Sequence, residues 1–227
     1  MKIGILQAGH SPQALFGPAG DYGSLFTKLL DGHGFDFEIF SVVDGVFPAG
    51  PQAADGWLIT GSKHGAYEDL DWIAPLEDLI REIDAAKLPL VGICFGHQII
   101  AQALGGKVVK FPGGWSVGRT EYMLDGKAVA LNAWHQDQVI ERPAAARVVG
   151  SSAFCENAML AYGDQIWTVQ AHPEFQSSFV DGLIRTRGKG VVPEAQLQAA
   201  RDTLDLPNNN TDIAAHIAGF FKQKARA

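Results

Sequence analysis

Cysteine is scarce in this chain. There are two in 227 residues, and once one is set aside for chemistry no disulfide framework remains, so a reducing cytoplasm is the expected setting. Apolar runs are short: none approaches the roughly 20 residues of a membrane span. The opening Met1-Lys2-Ile3-Gly4-Ile5-Leu6 reads as a first strand rather than a signal peptide, and no membrane contact is expected. Positive charge is outnumbered. The formal net charge of -7 argues against a nucleic-acid partner, and the basic tail Lys222-Gln223-Lys224-Ala225-Arg226 reads as a solvated helix end. No Gly-x-x-x-x-Gly-Lys phosphate loop, internal repeat or low-complexity linker occurs, so any ATP-dependent chemistry has to reside in another protein. No motif calls for a cofactor or a metal ion.

What is present is the composition of a globular unit, 47% hydrophobic and 19% charged. A single domain over residues 1–227 is expected, with a helical C-terminal extension from about residue 187 onward. Strand-like runs alternate with helical ones, the mark of a parallel sheet covered on both faces. Strands are expected at Lys2 to Gln7, Asp36 to Val43, Asp55 to Thr60, Leu90 to Ile93 and Ile166 to Val169. Helices are expected at Ser24 to Gly32, Ala74 to Ala86 and Gln98 to Leu104, then Ser177 to Arg185, Pro193 to Leu204 and Thr211 to Lys224. The last carries an N-cap signal in Asn210-Thr211-Asp212 and an apolar face of Ile213, Ile217 and Phe220. Between Lys107 and Ala171 the pattern changes to short strands and turns. The fold class expected is α/β, an open and mostly parallel doubly wound sheet with a small antiparallel extension.

Gly92-Ile93-Cys94-Phe95-Gly96-His97-Gln98 puts a thiol between two glycines where an apolar strand turns into a helix. A nucleophile elbow strains its central residue and leaves almost no room for side chains two positions away on either side, a demand that Gly92 and Gly96 meet. Amides at the start of the following helix favour negative charge on the sulfur. The bland alternative is a buried cysteine acting as a small hydrophobe, the reading given to Cys155, which has no flanking glycine and no helix start. A thiol nucleophile needs a base and a group to orient that base. Among seven histidines the best placed is His172, directly after the strand-like Gln165-Ile166-Trp167-Thr168-Val169. In extended backbone His172 and Glu174 project to one face while Pro173 stiffens the pair.

The order Cys94, His172, Glu174, with Gly-Ile-Cys-Phe-Gly-His-Gln at one end and His-Pro-Glu at the other, closely resembles the class I (triad-type) glutamine amidotransferases, especially stand-alone relatives of the glutaminase domain of GMP synthase. The resemblance covers about Lys2 to about Arg185 and implies a flavodoxin-like sheet. It implies that Cys94 attacks the side-chain amide of glutamine, that ammonia leaves, and that water hydrolyses a gamma-glutamyl thioester. By the same resemblance the backbone amides of Gly61 and Phe95 form the oxyanion hole, and Gln98 contacts the substrate. The backbone from Trp134 through His135 and Gln136 to Asp137 would bind the alpha-amino and alpha-carboxylate groups, with His135 a wall residue rather than a second base.

Two departures bear on the substrate. Where many relatives read Gly-Gly-Pro, this chain reads Gly61-Ser62-Lys63-His64-Gly65-Ala66-Tyr67-Glu68-Asp69, expected to be a solvated loop, with Lys63 and His64 as alternative contacts to the outer end of a substrate larger than glutamine. Trp134 stands where many relatives have Ser or Asn. Three functions therefore stay open: a glutamine amidotransferase with an ammonia-accepting synthetase as partner, a self-contained gamma-glutamyl peptidase, and a regulatory subunit with little turnover.

Overall fold

The computed structural model describes residues 1–224. Ala225 and Arg226 of the basic tail lie outside the described residues. In chain order the elements are β1 (Lys2–Leu6), α1 (Gln13–Ala19), α2 (Tyr22–Leu29), β2 (Asp36–Phe40), β3 (Gly56–Ile59), α3 (Ile73–Ala85), β4 (Leu90–Ile93) and α4 (Phe95–Ala103). Seven strands follow: β5 (Lys107–Lys110), β6 (Ser116–Leu124), β7 (Lys127–His135), β8 (Asp137–Glu141), β9 (Ala146–Ser151), β10 (Met159–Tyr162) and β11 (Ile166–Val169). The chain ends in α5 (Ser177–Leu183), a π turn (Ile184–Gly188), α6 (Glu194–Asp202) and α7 (Asn210–Lys224).

Nine strands form one sheet in the order β2-β1-β3-β4-β11-β10-β9-β6-β7. The pairings from β2 through β11 are parallel. Those from β11 through β7 are antiparallel, so the extension continues the same sheet. A separate antiparallel pair, β5 with β8, stands beside it. Every residue of β3, β4 and β11 is buried, which is why these strands read as continuous apolar runs instead of alternating ones. One face is covered by α3 and α4, through Leu76, Ile80, Phe95, Ile99 and Ile100 among others. The other is covered by α2 and α7, where Phe26, Leu30, Ile213, Ile217 and Phe221 meet Ile3, Ile5, Leu58, Val91 and Ile93. A third apolar cluster joins Tyr22, Phe175 and Phe179 to Leu183, Ile184 and Leu197. Among the described residues no helix is long and apolar enough to cross a membrane.

The expected strands and helices are present, with shifted ends. The strand expected to reach Val43 stops at Phe40, because Val42–Asp44 closes a 3-10 turn ended by Gly45 at φ 78°. Helix α2 begins at Tyr22 rather than Ser24, because the Asp21 carboxylate accepts from the Tyr22 amide at 2.8 Å. The helix expected from Gln98 starts at Phe95, directly after the cysteine. On α7 the fully buried aromatic is Phe221, and Phe220 is only partly covered. Helix α1 was not expected. Most of its residues are exposed, so it leaves no apolar period in the sequence.

Candidate active site

Cys94 joins the end of β4 to the start of α4 at φ 54°, ψ -101°. A non-glycine residue there costs about 1–3 kcal/mol and persists only when its surroundings over-determine it. They do. The Cys94 amide donates to Val169 O at 2.8 Å, Gln98 N donates to Cys94 O at 3.1 Å, and Gly96 N donates to Thr60 O at 3.1 Å. A Cβ on Gly92 would lie 2.6 Å from Gly96 O, and one on Gly96 would lie 2.3 Å from Ile59 O. Both flanking glycines are therefore demanded by backbone packing at the bend. The helix begins at the very next residue, which sets its N-terminal amides and dipole against the sulfur.

His172 emerges from the end of β11, the strand that pairs with β4, and its amide donates to Asn132 O of β7 at 2.8 Å. Its Nδ1 is 2.6 Å from Glu174 Oε1, which leaves Nε2 as the ring nitrogen for Cys94; the imidazole Cε1 and Cys94 Cβ both lie within 4 Å of where a Cβ on Gly61 would sit. His172 and Glu174 are both 4% exposed, and the second Glu174 oxygen has no partner among the described residues. Burial works against a charged imidazole, but Cys94 and then Glu174 more than reverse it, so the His172 pKa stands well above the ordinary value. The ring lies flat on Phe175, with centroids 3.9 Å apart.

Gly61, just past β3, completes the arrangement. A Cβ there would lie 2.9 Å from His172 Cε1 and 3.8 Å from Cys94 Cβ, so the backbone approaches the pair as only glycine allows. Among the described residues neither the Gly61 nor the Phe95 amide donates to a protein acceptor.

Of the substrate contacts suggested by resemblance, Gln98 lies on α4, and Trp134, His135, Gln136 and Asp137 run through the β7–β8 corner. Gln98 Nε2 donates to Asp137 O at 2.9 Å and to Gln170 Oε1 at 3.2 Å, so Gln98 anchors the β7–β8 corner as well as lining the cleft. His135 Nδ1 meets the same Asp137 carbonyl at 3.1 Å. Burial pulls the His135 pKa down to about 4, which leaves the ring neutral. Gln136 O accepts from Phe111 N at 3.3 Å, so the carbonyls of Gln136 and Asp137 are already engaged within the protein. What Asp137 presents to the cleft is its carboxyl, with a pKa raised by burial against a hydrogen bond from Tyr67. Trp134 is half-buried in the apolar cluster of α5 and α6 and lines the far wall.

These residues surround a cleft of about 440 Å³, within the roughly 300–1,000 Å³ of small-molecule sites. The loop after Gly61 is not simply solvated: Ser62, Lys63, His64 and Tyr67 form one wall of the cleft. The loop is braced by Gly65 N donating to Glu68 Oε1 at 2.7 Å and by His64 Nδ1 at 3.1 Å from Glu68 Oε2. The sequence did not point to the lining residues Tyr22, Trp115, Phe175, Leu183, Arg187 and Val191. The one local signal was the four-residue spacing of Leu183 and Arg187 on a helical stretch. Among the described residues no group of three or more His, Cys, Asp or Glu side chains is arranged to hold a metal ion.

Residues 52–184 match the family model described as glutamine amidotransferase class-I. The chain is 33% identical to Gamma-glutamyl peptidase 4 of Arabidopsis thaliana, over 82% of this chain and 81% of the relative. It is 31% identical to a glutamine-hydrolyzing GMP synthase subunit of Saccharolobus solfataricus, over 77% of this chain and 89% of the relative. The crystal structure of a glutamine amido transferase from Methylobacillus Flagellatus superposes with a TM-score of 0.77 at 23% identity, covering 99% of this chain and 92% of that one. A family model matching more than half the chain, and relatives of this identity aligned over most of their length, establish that the chain belongs to the class-I glutamine amidotransferase family.

Proposed function

We propose that the protein hydrolyses gamma-glutamyl amide bonds through a thioester on Cys94, and that its preferred substrates are gamma-glutamyl peptides, with glutamine the smallest member of the class. The observation that carries the reaction is the strained Cys94 beside His172, itself held by Glu174 at 2.6 Å. The sulfur attacks the gamma-carbonyl carbon, and the carbonyl oxygen becomes an oxyanion between the Gly61 and Phe95 amides. As the C–N bond breaks, the His172 proton passes to the leaving nitrogen and the amine departs. Water then gives a proton to His172 and attacks the thioester carbonyl. Glutamate leaves, and the proton returns to the Cys94–His172 pair. Glu174 keeps the imidazole oriented and supports its charge.

The preference for peptides is supported by a cleft that continues past Cys94 to Trp134, Arg187 and Val191, and by the similarity to Gamma-glutamyl peptidase 4. A second reading, a glutaminase that delivers ammonia to a separate synthetase, is supported by the similarity to the glutamine-hydrolyzing GMP synthase subunit. Residues 1–227 are proposed as one catalytic unit, because α7 supplies Asn210, whose side chain donates to the Phe175 carbonyl at 3.0 Å beneath the His172 ring. A nucleophilic thiol is preserved in a reducing compartment, and the cytoplasm is proposed on that ground.

A kinetic panel tests the choice of substrate. If the peptide reading holds, purified protein turns over a gamma-glutamyl dipeptide with kcat/KM above that for glutamine, because remote binding energy lowers the barrier only for a substrate that has a remote part. Glutamine equal to or better than every peptide would give the site to the second reading.

A further inference from the structure

Arg187 is a cation in the cleft wall without a counter-ion. Its neighbour Arg185 pairs with Asp181 and Arg201 pairs with Glu194, whereas among the described residues Arg187 forms no ion pair. It is held by neutral oxygens, with Nη1 donating to the Tyr22 hydroxyl at 3.2 Å and Nη2 to the His10 carbonyl at 3.0 Å. It is half-buried and lines the cleft, where a guanidinium that is positioned but uncompensated is prepared for an anionic group. The π turn Ile184–Gly188 sets it there. Leu183 and Arg187, four residues apart, both line the cleft at this helix irregularity, a feature that recurs at functional sites.

A chain of contacts links it to the proton donor of the reaction. His172 must deliver its proton to the leaving nitrogen, so the leaving group departs on the His172 side of Cys94. Phe175 lies under the His172 ring, Tyr22 packs on Phe175 with centroids 6.3 Å apart, and Arg187 binds the Tyr22 hydroxyl. Gln98 and His135 are joined through the Asp137 carbonyl at the β7–β8 corner and are not part of this chain of contacts. Both Tyr22 and Arg187 fall outside residues 52–184, so this wall is built by segments flanking the stretch that carries the family pattern.

We infer that Arg187 recognises a carboxylate on the leaving group, which makes the substrate class gamma-glutamyl amino acids and peptides with a free carboxylate in the departing part. This rests on the gamma-glutamyl peptidase reading and narrows it. The test compares gamma-glutamylglycine with gamma-glutamylglycinamide, which differ only in that carboxylate, with glutamine measured alongside. Wild-type protein is expected to prefer gamma-glutamylglycine by about tenfold or more in kcat/KM, and Arg187→Gln to bring that ratio to near one, with Arg187→Lys in between. A wild-type ratio near one overturns the inference without any variant. A wild-type preference that survives in Arg187→Gln overturns it as well, and assigns the carboxylate to another cation of the cleft. An equal fall for all three substrates in Arg187→Gln also overturns it, with Arg187 serving the glutamyl half or the fold. Turnover of glutamine but of neither dipeptide removes the peptidase reading itself, and the inference with it.

Discussion

The His172 imidazole lies on the Phe175 ring with centroids 3.9 Å apart and planes within 3° of parallel. Phe175 is fixed in turn at its own carbonyl, which accepts from Asn132 Nδ2 at 2.9 Å and from Asn210 Nδ2 at 3.0 Å. The imidazole is thus oriented from its edge by Glu174 and from its face by a ring whose backbone is tied to β7 and α7. Phe175→Leu stays apolar but removes the flat support, so kcat should fall about tenfold with KM little changed. Stability should fall by about 1–3 kcal/mol, as for a large-to-small core substitution. Steady-state kinetics with a gamma-glutamyl peptide and urea unfolding separate the two effects, and a raised KM at unchanged kcat would count against a positioning role.

Cys94→Ser should lower turnover by at least about 10³-fold, since nucleophile and base act as a unit. Cys155→Ser should retain most of it. Cys155 is 1% exposed, and burial pushes its thiol up to about 12, so it is neither accessible nor readily ionised near neutral pH. Mass spectrometry after iodoacetamide treatment of the folded protein should find the label on Cys94 alone. Label on Cys155 with Cys94 untouched would reverse the assignment.

The titration of His172 gives a prediction with a definite sign. Burial lowers its pKa, while Cys94 and then Glu174 raise it, for a net folded value above the ordinary 6.5. Such a group contributes stability that is fully present below the unfolded pKa and lost as pH rises through the higher folded pKa. Thermal unfolding should show this loss on the alkaline side, and Glu174→Gln should shift its onset to lower pH. Followed by NMR, the His172 ring should show a larger drop in pKa in Cys94→Ser than in Glu174→Gln. The reverse order would mean that the carboxylate dominates.

Two glycines in helices should respond in opposite directions to alanine. Gly96→Ala drives a Cβ to within 2.3 Å of the Ile59 carbonyl oxygen, and a loss of about 3 kcal/mol or more is expected because backbone on both sides must move. Gly219, within α7, has nothing within 4 Å of its virtual Cβ, so Gly219→Ala should gain about 0.5–1 kcal/mol from helix propensity. Urea midpoints for the two variants check both signs, and a stable Gly96→Ala protein would show that the bend tolerates rearrangement.

The features legible along the chain are mostly those whose constraints are local. The Cys94 bend was legible because glycines stand two residues either side of the thiol, although the contact that demands Gly96 comes from Ile59 on β3, and the His172–Glu174 pair because extended backbone sends residues two apart to one face. The parallel half of the sheet was legible because strands buried on both faces must be apolar throughout. Tertiary structure decided what depends on distant segments meeting. The hydrogen bond from Arg187 to Tyr22 spans 165 residues, and the Asn210 bond to Phe175 spans 35, so no periodicity or spacing could announce either. Nor could composition show that Phe175 would lie beneath His172 or that the loop after Gly61 would wall the cleft. Local pattern records which residues must be buried or bent, but the shape beyond the nucleophile, and with it the choice of leaving group, arises only when α2, β7 and the C-terminal helices pack against one another around the ends of β3, β4 and β11.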